Sequence, residues 1–186
     1  MVTASLVSTS IETPVGVVRL LARGSALRGV FFADHRHLPA WVEGAVRVAG
    51  QASPVLALAA SELQEFFAGE RRDFRTPLAA IGTQFQEAVW QALREIPFGE
   101  RRSYTELAER IGKPRAVRAV ASANAHNPLS IFVPCHRVIG ASGALTGYAG
   151  GLEAKRWLLA HETRAAGATE VRAAAAPSPK YSSIFA

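Results

Sequence analysis

The 186-residue chain contains one cysteine, Cys135, preceded by Pro134 and followed by His136 and Arg137. A thiolate is a soft nucleophile whose formation is favoured by a nearby base or positive charge, so this cluster suits transfer of a group onto sulfur. An imidazole acting on a thiol also needs an orienting partner, and Glu162 is the acid available just beyond the last expected helix. Two readings stay open on these residues alone. A lone cysteine is commonly a small buried hydrophobe. Adjacent side chains diverge on an extended strand, so His136 serves Cys135 only where the chain turns. Pro134, together with Asn127, whose side chain can tie loop backbone together, supplies the means for such a turn. One cysteine excludes an intramolecular disulfide framework and a Cys-rich zinc site.

Several helices must position this segment. Thr83-Gln-Phe-Gln86 reads as a capping box opening a helix with Phe85, Val89 and Leu93 on one face, ending before Pro97. Ser103-Tyr-Thr-Glu106 is a second box, and Gly112 stops the short helix it opens. Pro114 is expected at the first position of the next helix, whose apolar face is Val117, Val120 and Ala121. A short helix, a tight turn and a second short helix make a helix-turn-helix pattern, with Arg115 and Arg118 outward and small residues (Ala116, Ala119, Ala121, Ser122, Ala123) allowing close approach to a groove. An ordinary pair of antiparallel helices is the competing reading.

Charge favours the first. Net charge is +6, and residues 101–137 hold seven Arg and Lys against two Glu, so +5 of the excess lies in about a fifth of the chain. A local cationic surface of this kind suits a polyanion. After it, Asn127–Pro134 is an extended apolar run, Gly140–Gly151 is glycine-rich, and Leu152, Trp157, Leu158 and Leu159 mark a last helix ending at His161-Glu162.

The N-terminal half has a different pattern. Residues 5–33 alternate apolar and polar positions around turns at Thr13-Pro14, Gly16 and Gly24-Ser25, which predicts an antiparallel meander. Ser53-Pro54 starts a helix carrying Leu56, Ala59, Ala60, Leu63 and Phe67 inward, and Gly69 stops it. The expected fold class is α+β, with a small N-terminal sheet and helix (1–82, including a basic linker from Arg71 to Gly82), a mostly helical C-terminal domain (83–162), and a disordered Ala-rich tail (163–186). A 49% hydrophobic, 19% charged composition excludes general disorder. With no secretory leader or long apolar span, a soluble cytoplasmic protein, with no membrane association, is expected.

Pro134-Cys135-His136-Arg137-Val138 resembles the active-site signature of the O6-alkylguanine-DNA alkyltransferases, the methylated-DNA–protein-cysteine methyltransferases. Phe85-Gln-Glu-Ala-Val-Trp90, Ile96-Pro-Phe-Gly99, Ser103-Tyr104, Asn127-Pro128, Thr146-Gly-Tyr-Ala-Gly-Gly151 and Trp157-Leu-Leu-Ala-His-Glu162 are similar to that family in the same order, strongly over 83–162 and weakly before it. The resemblance implies a ribonuclease-H-like N-terminal domain and a helix-turn-helix docking in the minor groove of double-stranded DNA. It implies irreversible transfer of an alkyl group from O6-methylguanine, with O4-methylthymine as a further candidate, to Cys135. His136 would deprotonate the thiol through a water, Glu162 would orient His136, and Asn127 would brace the turn. Tyr104 would help rotate the nucleotide and donate a proton to the departing guanine, while Arg118 fills the gap in the base stack. Arg115, Ser103, Ala119, Ser122 and Asn124 complete the expected DNA-contacting set, and Val138, Tyr148, Ala149 and Ser130 the substrate pocket. Ser130 stands where some members carry proline, and Ala149 where others carry serine. A monomer without cofactor is expected, and also without metal, because the N-terminal half offers only His35 and His37. Two further functions are weighed against this one: a non-catalytic DNA-binding or lesion-sensing module using the same helices, and a Cys-His hydrolase.

Overall fold

The computed structural model describes residues 5–175. Three strands, β1 (Leu6–Ile11), β2 (Val18–Arg23) and β3 (Ala26–Phe32), form the expected antiparallel meander, and a short β4 (Val46–Arg47) joins β1 in parallel, giving the order β3-β2-β1-β4. A register shift at Leu21 and Ala22, facing β3, lets Leu27 and Val30, three residues apart, both enter the core side. Helix α1 (Pro54–Ala68) covers that side with Leu56, Ala59, Leu63 and Phe66, and Gly69 ends it in the left-handed region at φ 80°. The other side carries only a small cluster of Leu6, Leu21, Phe31 and Val42.

The basic segment expected to be a linker is built into the fold. Buried Glu62 on α1 accepts from the Arg75 N–H (2.8 Å), the Thr76 N–H (3.1 Å) and the Thr76 hydroxyl (2.7 Å). The chain then lies along β3, with Leu27 N–H donating to Pro77 O (2.8 Å) and Ala79 N–H to Leu27 O (2.9 Å). One hydrophobic core runs through both halves, from Leu20 and Phe66 to Leu93, Val120 and Leu158.

In the second half, α2 (Gln84–Arg94) and α3 (Tyr104–Arg110) begin with complete capping boxes, Thr83 with Gln86 and Ser103 with Glu106. Between them β5 (Arg102–Ser103) pairs in parallel with β6 (Val138–Ile139). Helix α4 (Val117–Ala125) starts three residues after Pro114, not at it. A Lys113–Ala116 turn, closed by Ala116 N–H on Lys113 O (2.8 Å), holds Pro114 and Arg115 outside the helix. Helix α5 (Leu152–Ala175) likewise departs from expectation, running past Glu162 through residues expected to be disordered. The segment is alanine-rich and has no proline before Pro177, so nothing terminates it at Glu162. The remainder of the expected tail, 176–186, lies outside the described residues. Among the described residues no helix is long and apolar enough to cross a membrane.

Candidate active site and nucleic-acid interface

The segment after α4 is shaped by Asn127. Its Nδ2 donates to Val133 O (2.9 Å) and to Cys135 Sγ (3.1 Å), and its Oδ1 accepts from Leu129 N–H (3.0 Å). Within the loop, Ile131 is buried at φ 73°, a conformation that costs a β-branched residue energy. The flanking pairings hold it there: Val30 of β3 donates to Pro128 O (2.8 Å) and accepts from Ser130 N–H (3.3 Å), so the N-terminal sheet grips the acceptor loop directly. A single 3-10 turn, Cys135–Arg137, follows.

That turn separates the Cys135 side chain from the other two. Cys135 faces Asn127, while His136 Nε2 and the Arg137 guanidinium converge on Glu162 of α5. His136 Nε2 lies 2.8 Å from Glu162 Oε1, and Arg137 donates from Nε (3.0 Å to Oε2) and Nη2 (2.9 Å to Oε1). Arg137 Nη1 also holds Ile96 O at 2.6 Å. Gly99 N–H donates to Glu162 Oε2 (3.0 Å) from a backbone at φ 82°, and a Cβ there would stand 3.3 Å from that of Ala166, so glycine fits on both counts. Burial would raise the Glu162 carboxyl, but the hydrogen bonds from His136 and Arg137 and the charge of Arg137 prevail and hold it at about 2. Burial lowers His136 against the pull of Glu162. The neutral ring therefore donates from Nε2 to the carboxylate, leaving Nδ1 as a bare acceptor with no protein partner among the described residues.

Cys135 shows no direct hydrogen bond to His136, and its thiol is displaced opposite to the expectation from its cationic neighbours. Burial pushes it up, with the Asn127 hydrogen bond and the charge of Lys155 acting the other way. Tyr148, Ala149, Ser130 and Val138, the residues expected to line the substrate pocket, are all buried. The Tyr148 hydroxyl, beside Cys135 and Ser130, has no hydrogen bond of standard geometry, nor has Ser130 Oγ. Tyr104, half-buried at the start of α3, has its phenol raised by burial, with Thr146 and Asn124 near its oxygen.

On α4, Arg118, Ala119 and Ser122 are exposed, as is Arg115 before it, and neither arginine has a hydrogen-bond or ion-pair partner among the described residues. One expected DNA contact is placed otherwise. Asn124 is buried, with Nδ2 directed to Cys135 O at 3.4 Å, because it falls four residues after Val120 on the core-facing stripe. The Ser103 hydroxyl accepts from Glu106 N–H (3.1 Å) as the cap of α3. Contacts of Arg137 and Gly99 with Glu162 were not foreseen, and the site also contains a residue not anticipated, Lys155, buried in α5 with Nζ on Val138 O (2.6 Å) and Thr146 O (2.8 Å). The spacing of Lys155, Leu158, Leu159 and Glu162 along one helical face was the available signal.

A helix-turn-helix with unpaired cations, joined through Asn124 to a buried thiol near an imidazole–carboxylate pair, defines a nucleic-acid-binding protein equipped to act through sulfur. Comparison with known proteins narrows the class. Residues 6–80 match the ribonuclease-like domain, and residues 84–164 the DNA binding domain, of 6-O-methylguanine DNA methyltransferase. The chain is 46% identical over 158 residues to the methylated-DNA–protein-cysteine methyltransferase of Mycolicibacterium paratuberculosis, covering 83% of this chain and 91% of that protein. It is 47% identical over 152 residues to the constitutive methylated-DNA–protein-cysteine methyltransferase of Bacillus subtilis, covering 81% and 92%. The crystal structure of the Mycobacterium tuberculosis O6-methylguanine methyltransferase matches with a TM-score of 0.78 at 43% identity, covering 86% of this chain and 93% of that one. That of M. tuberculosis OGT in complex with DNA matches at 0.77 and 43%, covering 84% and 92%. The chain belongs to the 6-O-methylguanine DNA methyltransferase family, as its motifs imply, and its α+β architecture is that of these relatives.

Proposed function

We propose that this protein repairs double-stranded DNA, acting as a monomer in the cytoplasm, by moving the methyl group of O6-methylguanine onto Cys135, once per molecule. The observation that carries the proposal is the double role of α4. Its outer face exposes Arg118, Ala119 and Ser122, and its inner face places Asn124 against the carbonyl of the only cysteine. One rigid element thus links a DNA-facing surface to the acceptor.

The chemistry follows from the partners of each group. The thiol proton passes through a water to His136 Nδ1, the open nitrogen of a ring whose other nitrogen is fixed by Glu162. The thiolate attacks the methyl carbon, the S–C bond forms as the C–O6 bond breaks, and the electron pair stays with guanine. Tyr104, kept protonated by burial, gives its proton to the departing base and recovers one from solvent. Asn127 and the Val30 pairing hold the acceptor in place, Arg118 occupies the gap left by the rotated nucleotide, and Arg115 and Ser122 meet phosphates. Nothing at the site can displace a thioether, so each molecule acts once.

Incubation with duplex DNA carrying O6-methylguanine, followed by intact mass, tests this: one gain of about 14 Da should appear on Cys135 and none on Cys135→Ala. DNA binding without any mass gain would refute it in favour of a non-catalytic lesion-sensing module.

A further inference from the structure

We infer that His37 and His126, which the fold brings together from the two halves of the chain, form a binding site for one late first-row divalent transition-metal ion, of the nickel or zinc class, with water completing its coordination. The site is separate from the acceptor thiol, and the inference does not rest on the alkyl-transfer reading.

His37 lies in the loop after β3, and His126 caps the C-terminal end of α4. Both are exposed, yet their rings face each other with centroids 4.4 Å apart and planes 29° from parallel. His126 Nδ1 is 2.8 Å from Ser122 O. A carbonyl only accepts, so Nδ1 carries the hydrogen, and in the neutral ring the lone pair is left on Nε2. Metal-binding imidazoles are held in this way: the second nitrogen donates to a backbone carbonyl, which sets tautomer and ring direction beforehand. Two nitrogens each about 2.0–2.1 Å from one ion stand roughly 3–3.5 Å from each other. Facing rings at the observed spacing reach that separation with a small tilt.

The loop that carries His37 has a fixed base. His35, two residues before it, is buried against Phe31 and Phe32, with ring centroids 5.0 and 6.5 Å away. Among the described residues no third His, Cys, Asp or Glu completes a cluster with the pair, so water fills the remaining positions. Arg36, adjacent in sequence, opposes a cation. Both facts make the site an exchangeable one, unlike a closed four-ligand structural centre. Imidazole donors suit nickel, copper and zinc, whereas magnesium and calcium demand oxygen. The sequence offers His37 no such partner within its own half; His126 reaches it from the end of the DNA-facing helix. An ion bound there fastens the loop whose Arg36 N–H holds Ala149 O (3.1 Å) to the residue preceding Asn127.

Calorimetric titration of the full chain with Ni2+, with Mg2+ as the control, tests the site. Wild type should bind one Ni2+ and no Mg2+, and should do so equally after Cys135 has been alkylated with iodoacetamide. Exposed His37→Ala, and His126→Asn, which keeps a side-chain donor near Ser122 O, should each weaken Ni2+ binding at least about tenfold, since even the outer partners of metal ligands are worth that much. Ni2+ at about a hundredfold over its dissociation constant should raise the thermal midpoint of the wild type by about 5–10 °C and leave that of His37→Ala nearly unmoved. No Ni2+ binding by the wild type, loss of binding on alkylation of Cys135, or wild-type affinity in His37→Ala would each overturn the assignment. Should His126→Asn fail to fold, His37→Ala alone decides it. Failure of methyl transfer in the wild type would refute the alkyl-transfer reading and leave this site standing.

Discussion

Replacing Glu162 by glutamine should expose how much stability the buried ion cluster holds and at what pH. The carboxylate is 1% exposed and accepts from His136, from Arg137 Nε at both oxygens and Nη2 at one, and from Gly99 N–H. Glutamine keeps one acceptor oxygen but turns an amide donor toward a guanidinium, leaving the Arg137 charge buried without compensation, a defect of about 3–5 kcal/mol at neutral pH. The proton equilibrium gives a comparable figure. A carboxyl at 4.5 when unfolded and about 2 when folded contributes about 3 kcal/mol. Because the folded value is the lower one, this contribution is complete above pH 4.5, declines as pH falls through the interval, and is gone below about 2. Urea unfolding of wild type and Glu162→Gln between pH 7 and pH 3 measures the difference directly. The gap should be widest at pH 7 and should close progressively below 4.5. A gap that stays constant down to pH 3, or one below about 1 kcal/mol at pH 7, would show that Glu162 is not the counter-charge described.

Two other perturbations probe DNA engagement and the grip of the N-terminal half. Arg118→Ala should slow repair of duplex DNA by about tenfold to a hundredfold, because unstacking a base costs a few kcal/mol, while transfer from free O6-methylguanine stays close to wild type; paired single-turnover rates check this, and equal losses would place Arg118 in the fold or at the thiol. Gly150→Ala would set a Cβ against the Phe32 ring at clashing distance, and that ring packs on Tyr148, so a loss of about 1–3 kcal/mol in urea unfolding is expected together with slower transfer; wild-type stability would show that this contact yields freely.

The elements legible in the sequence are those specified by near neighbours. Thr83 with Gln86, Ser103 with Glu106, Pro54 and Gly69 each act on the nearest turn of helix, and the structure reproduces all four boundaries. The two-residue β4 and the pairing of Val30 with Pro128 and Ser130 depend on contacts across the chain, where no local pattern announces them. The candidate site divides in the same way. Cys135, His136 and Glu162 were recognisable by type, but the direction of the thiol shift was not, because burial is a tertiary property and outweighs the adjacent charges. Asn124 and Lys155 are a different case. Each lies on the apolar stripe of its helix, a pattern present in the sequence, although polar residues of these types are ordinarily found at the surface.

The continuity of the core across residues 70–82 bears on how such a chain can be cut or recombined. Because Val30 completes its pairing only with the acceptor loop, and Phe32 packs on Tyr148 and beneath Gly150, neither half can be exchanged for a relative's without matching these positions together. A fragment beginning at residue 83 would carry every group proposed for the chemistry, yet it would leave Ile131 to relax out of its left-handed conformation and carry the thiol with it. The two regions matched by separate family models are thus separable as text and inseparable as objects: the modularity is in the sequence record, and the molecule itself has no fault line at which to break.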